Sequence, residues 1–503
     1  MTLISLRNVG VTLSEPLFSD INLTIAKGDR IGLVAANGSG KSTLLRVIAG
    51  EGEPTHGEIT TSRGLRVGLV CQNVPQELLT LSMYDAVLCA LDDDQAENES
   101  WRVDIALEDL QVPMDLWHRP LQALSGGWQR VALLVRTWVR EPDALLMDEP
   151  TNHLDLGRTG VLQSWLETTA HGTPLLVASH DRAFLDAVTD RTFFLRPKGS
   201  QHFSLAYSKA RQSLEERDAA TARQFEKEIG KANQLRRQAA KLKNIGINSG
   251  SDLLLSKTKQ LKERAERIEE TVRPAFNGKS SGKIRLVNSG THAKALVSLE
   301  ETDISVPTGR TLFRSGRLWI NRGDRIVVLG ANGTGKTQLL NRMIRALEGN
   351  DTSIRIAPSV VPGVSDQALS QLDRFSTPMD AVTRSSDVGD RNARALLASS
   401  GIIIGMQEKA ISALSGGQRS RLAMLLLRLT QPNFYILDEP TNHLDIEGQE
   451  ALERELLEHD ISALLVSHDR AFVRIVGTRF WLIDGKRLVE VDEPETFFDS
   501  QMQ

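Results

Sequence analysis

Hydrophobic and polar positions divide the chain into three stretches. Both ends carry short apolar runs that stop at glycine-rich or acidic residues, and a stretch rich in Ala, Glu, Gln, Lys and Arg lies between them. Residues 4–9 and 21–25 alternate apolar and polar side chains, which predicts strands with one buried face. Residues 30–34 form an apolar strand entering a glycine-rich loop, and residues 42–49 continue as a helix. Residues 145–147 and 175–178 are apolar without alternation, the pattern of parallel strands buried on both faces. Residues 325–329, 435–437 and 463–466 repeat this arrangement in the second half. The predicted class is α/β, twice over, with ligands expected at the carboxyl ends of the strands.

The middle of the chain follows another rule. Residues 208–243 contain no proline, and their composition predicts one helix about 50 Å long at ~1.5 Å per residue. Gly and Asn in residues 244–251 predict a break. Residues 253–272 predict a second helix, ended by Pro274, so the pair reads as an antiparallel hairpin. Asn277-Gly278-Lys279-Ser280-Ser281-Gly282 then predicts a flexible joint. The resulting division is a first cassette over 1–207, a hairpin linker over 208–273 and a second cassette over 274–503.

Composition narrows the function. An apolar content of 40% and a charged content of 25% are ordinary for a globular protein. No run of eighteen apolar residues occurs, and the first residues lack a basic segment followed by an apolar one, so neither a spanning helix nor a secretory signal is expected. Two cysteines, Cys71 and Cys89, exclude a disulfide framework and a Cys-rich zinc module, and fit a cytoplasmic location. The net charge of −4 hides an asymmetry: residues 209–294 carry 20 Lys and Arg against 10 Asp and Glu, leaving about −14 for the remainder. Arg236, Arg237, Lys241, Lys243, Lys257, Lys259 and Lys262 surround a single acid, Asp252, near the hairpin's tip. A solvated helix face is the bland explanation. An excess of this size between two acidic domains points to nucleic acid instead.

The candidate chemistry recurs in one order in both halves. Ala35-Ala36-Asn37-Gly38-Ser39-Gly40-Lys41-Ser42 is followed by Gln72, Leu124-Ser125-Gly126-Gly127, Asp148-Glu149-Pro150 and Ser179-His180-Asp181. Gly330-Ala331-Asn332-Gly333-Thr334-Gly335-Lys336-Thr337 is followed by Gln367, Leu414-Ser415-Gly416-Gly417, Asp438-Glu439-Pro440 and Ser467-His468-Asp469. The second set trails the first by 295 residues at the lysines and glutamines, 290 at the signature serines and glutamates, and 288 at the histidines. Such loops present backbone N–H groups to phosphates at a helix N-terminus. Lys41 and Lys336 add a point charge there, and Ser42 and Thr337 offer hydroxyls to Mg²⁺. Ala35 replaces the first glycine of one loop, a small intrusion that should leave binding intact. Thr43 is expected beside the nucleotide, and Gln338 takes the matching place in the other half. Asp148 and Asp438 suit the metal shell with Gln72 and Gln367, and Glu149 and Glu439 suit polarisation of the attacking water. His180 and His468 follow apolar strands and are placed to sense the γ-phosphate. Each Leu-Ser-Gly-Gly opens a second phosphate-binding helix N-terminus. The chain reads as a tandem ATP-hydrolysing machine.

This order of motifs resembles the ABC ATPase superfamily. Asp148-Glu149-Pro150-Thr151-Asn152-His153-Leu154-Asp155 recurs identically at residues 438–445, and Ser-His-Asp-Arg-Ala-Phe follows each copy. That combination is similar to the ABC-F class over essentially the whole chain, apart from Trp128, where many ABC proteins carry Gln. The resemblance implies that the halves of a monomer close head to tail around two ATPs. One site would combine Lys41, Ser42, Gln72, Asp148, Glu149 and His180 with Ser415 and Gly417; the other would combine Lys336, Thr337, Gln367, Asp438, Glu439 and His468 with Ser125 and Gly127. It also implies a partner, the ribosome, near rRNA and tRNA, and a role in translation or in protection against antibiotics. A DNA-maintenance ATPase and the engine of a membrane transporter are the alternatives. The 35 residues after His468 are too few for a DNA-directed coiled coil, and no spanning segment serves a transporter.

Overall fold

The computed structural model describes all residues except 14–15, 250–251, 273–281, 307–308, 350, 352 and 503. Each half is built on a largely parallel sheet. In the first, the strand order is Val67–Val70, Ala144–Asp148, Leu175–Ala178, Arg30–Val34, Arg191–Phe194 and Gln201–Phe203. The first five strands pair in parallel, and only the last pair is antiparallel. A three-stranded antiparallel sheet of Pro16–Ala26, Thr2–Thr12 and His56–Thr61 lies beside it. The second half repeats the core with Arg479–Asp484, Arg325–Leu329, Ser462–Val466, Phe434–Asp438 and Pro362–Ser365 inside an eight-stranded sheet.

The runs without alternation are the central strands, as expected. Every residue of Ala144–Asp148, Phe434–Asp438 and Ser462–Val466 is buried, because helices cover both faces. Register carries the chemistry to one edge: Asp148 lies opposite Ala178 and Asp438 opposite Val466, so each acidic strand end meets the strand end that leads to its histidine.

The linker is a hairpin, and its helices differ from expectation at the tip. The first helix runs over Tyr207–Ser249, 43 residues and about 65 Å, and the second over Asp252–Val272. The break expected at Asn244 does not occur; helix continues through Ser249. A helical glycine costs only about 1 kcal/mol relative to alanine, which need not end a helix of 43 residues. Ala232, Ala239, Thr258 and Ala265 are buried along the hairpin.

The hairpin's root belongs to the first cassette, where Tyr207, Ala210 and Leu214 enter its core and Arg196 forks onto Asp218 at 3.0 and 2.6 Å. Of the expected joint, residues 277–281 lie outside the described residues. Gly282 is packed, not free: a Cβ there would stand 2.4 Å from the Ser400 carbonyl, and the next N–H, of Lys283, donates to Ser399 O at 2.7 Å.

Candidate nucleotide sites

Each glycine-rich loop turns the chain from a buried strand into a helix, Lys41–Ala49 or Lys336–Leu347. Gly40 and Gly335 cap these helices at φ 95° and 107°, left-handed conformations that favour glycine. Space excludes a side chain as well, since a Cβ on Gly335 would meet Leu312 Cδ1 at 2.6 Å. Ala35 leaves the first loop with the same turn as the second. Ser39 Oγ donates to Ala36 O at 2.6 Å, and Thr334 Oγ1 to Ala331 O at 2.8 Å. Lys41 Nζ donates to Ala35 O at 3.2 Å and Lys336 Nζ to Gly330 O at 2.7 Å, so each ammonium folds back over its loop.

The acids arrive from the adjoining strand. Thr337 Oγ1 donates to Asp438 Oδ2 at 3.2 Å, and Ser42 pairs likewise with Asp148. Glu149 and Glu439 sit at φ 52° and 50°, strained values for a side-chain-bearing residue. The same backbone turn recurs in both halves, and in the first it brings the carboxylate to the loop lysine. His180 N donates to Glu149 Oε2 and His468 N to Glu439 Oε2, both at 3.2 Å. Glu149 Oε1 lies 3.2 Å from Lys41 Nζ and 3.1 Å from His180 Nε2. His180 Nε2 in turn lies 2.6 Å from Lys41 Nζ and 3.1 Å from Asn37 Oδ1.

Burial sets the charges. Desolvation raises both glutamates, Glu439 to about 8, and lowers His180 to about 3 and His468 to about 4. From its ordinary 4.5 up to about 8, folded nucleotide-free protein keeps a proton on Glu439 that the unfolded chain releases. Stability from this group is therefore lost as pH rises through that window. Glu439→Gln is expected to flatten the fall in nucleotide-free melting temperature between about pH 5 and 8. An unchanged slope in a thermal melt series would refute the assignment.

Asp148 and Asp438 fit a magnesium ion held mostly by phosphate and water. Each pairs with one hydroxyl, and Asp148 Oδ1 is buried without a hydrogen-bond partner. Among the described residues, no cluster of three or more His, Cys, Asp or Glu could hold a metal unaided. Gln72 and Gln367 occupy one register position. Val70 pairs with Met147 and Ser365 with Leu437, and each glutamine stands two residues further on, exposed.

The signature motifs start helices Gly126–Trp138 and Gly416–Leu429. Ser415 and Gln418 cap the second reciprocally; Trp128 stands where Gln418 would, and the first helix has no side-chain cap. Each glycine-rich loop faces the opposite cassette. Asn37 N donates to Asp445 Oδ2 and Asn37 Nδ2 to His443 O, both at 3.0 Å, and Asn37 Nδ2 would stand 3.1 Å from a Cβ on Gly417. Across the other half-interface, Asn332 Nδ2 donates to Asp155 Oδ2 at 3.2 Å. The structure thus brings Asn37 to Gly417 and Asn332 to Asp155, while Ser125 and Ser415 lie exposed at their helix starts.

Asp155 and Asp445 were not among the expected site residues. The repeated acidic string held the signal, but reads locally as a helix N-cap, a role both also fill by accepting from Arg158 N and Gly448 N.

Ion pairs tie the cassettes together, one of them buried. Arg182 pairs with Glu453 and stands 3.5 Å from Asp469, and Arg211 at the hairpin's root forks onto Glu450 at 3.2 and 2.6 Å. Arg182 and Glu453 are 8% and 5% exposed. Arg182→Ala would strand buried carboxylates, with an expected cost of about 3–5 kcal/mol, read as a lower urea midpoint. A shift within error would show that water already solvates the pair.

The ABC transporter family model matches residues 18–152 and 314–442. The chain is 29% identical over 520 residues to ABC transporter F family member 5 of Arabidopsis thaliana, covering 93% of this chain and 72% of that protein. It is 30% identical over 484 residues to the ATP-binding protein Uup of Caulobacter vibrioides, covering 94% and 76%. It is 29% identical over 496 residues to the ribosome protection protein VmlR of Bacillus subtilis, covering 94% and 85%.

Proposed function

The chain belongs to the ABC transporter family, in its F class of paired cassettes, and is an ATPase; from that premise we propose that it acts on the ribosome, with ATP-driven closure setting the state of its basic hairpin. Site one draws Lys41, Ser42, Gln72, Asp148, Glu149 and His180 from the first cassette and Ser415, Gly416 and Gly417 from the second. Site two is the reciprocal set, Lys336, Thr337, Gln367, Asp438, Glu439 and His468 with Ser125, Gly126 and Gly127. Asn37, Gly38, Ser39, Gly40 and Thr43, and Asn332, Gly333, Thr334 and Gly335, cradle the phosphates with backbone N–H groups. Ser42 with Asp148, and Thr337 with Asp438, would hold Mg²⁺, which neutralises charge on the phosphates. Glu149 and Glu439 orient the attacking water and take its proton, and the neutral histidines fix those carboxylates through their backbone N–H groups.

One observation carries the ribosome reading. Arg236, Arg237, Lys241, Lys243, Lys257, Lys259 and Lys262 are all exposed on a hairpin whose root is tied across the nucleotide interface through Arg211 and Glu450. The similarity to a protein named for ribosome protection supports the same reading. Among the described residues no helix is long and apolar enough to cross a membrane, and a cytoplasmic site of action is part of the proposal. Co-sedimentation with purified ribosomes tests it: pelleting should require ATP and be lost with ADP. Pelleting with neither nucleotide would overturn it. Drug susceptibility of cells expressing the protein separates a translation factor from a resistance factor.

A further inference from the structure

Positions 128 and 158 break the internal repeat. Arg158 lies three residues after Asp155, and the residue three after Asp445 is Gly448; Trp128 corresponds to Gln418. The two half-interfaces differ accordingly. Beside Gly417 the near neighbour is Asn37 Nδ2, at 3.1 Å from the place of a Cβ. Beside Gly127 that neighbour is Arg158 Nη1, at 2.8 Å, and Asn332 has turned to the Asp155 carboxylate. The Arg158 guanidinium lies over the Trp128 ring, 4.0 Å from its centre, and its backbone N–H donates to Asp155 Oδ1 at 2.9 Å. Among the described residues it forms no ion pair. Arg158 and Trp128 line a cavity of about 520 Å³ together with Ala331 and Asn332 of the opposite loop.

We infer that Arg158 is a phosphate-contacting residue of the second nucleotide site, supplied across the interface by the first cassette and without counterpart at the first site. This rests on the composite-site reading above. A guanidinium without a carboxylate, set beside a helix N-terminus, places two positive elements together, which an anion between the cassettes would neutralise. The fork of a guanidinium matches phosphate oxygens, and stacking on an indole holds it in one orientation before the ligand arrives. Ala331 and Asn332, which open the loop whose backbone would carry those phosphates, line the same cavity. At site one Gly448 and Gln418 take the places of Arg158 and Trp128, so the two sites are unequal in their hold on ATP.

The test uses the full-length Glu149→Gln/Glu439→Gln protein, which binds without turning over, carrying either Lys41→Ala to leave site two or Lys336→Ala to leave site one. Titration with mant-ATP and Mg²⁺ should show one bound nucleotide in each. Arg158→Ala should weaken binding roughly 10- to 100-fold when only site two remains, with a change at least ten times smaller when only site one remains. Arg158→Lys should recover part of the loss, and Arg158→Met, which keeps packing on Trp128 without charge, none. Recovery by Met, or equal losses in the two backgrounds, would overturn the inference and leave Arg158 a packing residue. If either lysine variant still binds two nucleotides, the composite-site reading itself fails.

Discussion

Replacing both Glu149 and Glu439 by glutamine is expected to lower ATP turnover roughly 10²- to 10⁴-fold, about 3–5 kcal/mol of barrier, while nucleotide binding persists. Glutamine keeps the shape and can still accept the His180 and His468 backbone N–H groups, both at 3.2 Å in the parent. What it loses is an acceptor for a proton from water. Burial would prepare these carboxylates for that task, since desolvation raises both groups above the ordinary carboxylate range. The change also removes a desolvated acid beside the phosphates, so the closed state should persist. Ribosome co-sedimentation with ATP is therefore expected to be stronger in the double variant than in the parent. Steady-state phosphate release checks the first part. Turnover within threefold of the parent would mean that neither carboxylate handles the attacking water.

Substituting glutamine at all seven hairpin positions, Arg236, Arg237, Lys241, Lys243, Lys257, Lys259 and Lys262, is expected to weaken ATP-dependent ribosome binding about 10³-fold near 50 mM salt. Glutamine has nearly the helix propensity of lysine and arginine, so the helices should remain. All seven side chains are exposed, and far-ultraviolet circular dichroism would confirm that the hairpin survives. The more specific expectation is the salt dependence. If each cation neutralises one phosphate, the slope of log affinity against log salt should flatten by about 5 to 6. Binding at parental strength with an unchanged slope would assign these charges to solubility and return the alternatives to attention, DNA among them.

Much of the architecture was legible because it depends on local pattern. Buried parallel strands need unbroken apolar residues, and residues 30–34, 175–178 and 325–329 coincide with observed strands. Glycine-rich loops need positive φ at fixed steps, which Gly40 and Gly335 supply. The hairpin was legible as two helices, but not its length, because a break inferred from Gly and Asn weighs only local propensity. The first helix nevertheless runs on through residues 244–249.

The sequence by itself determined two α/β cassettes, the order of their repeated motifs and a basic helical linker. Each of these rests on residues near one another in the chain. Only the tertiary structure decided which residues meet across the interface. Asn37 and Asp445 are 408 positions apart, and Arg182 and Glu453 are 271 apart. No periodicity links such pairs; they follow from how two separately folded sheets are set against each other. The same geometry separates Arg158 from Gly448. In the sequence these are two ordinary differences within a repeat. In the folded chain, Arg158 lies over Trp128 beside Gly127 in one half-interface, and Asn37 is the near neighbour of Gly417 in the other.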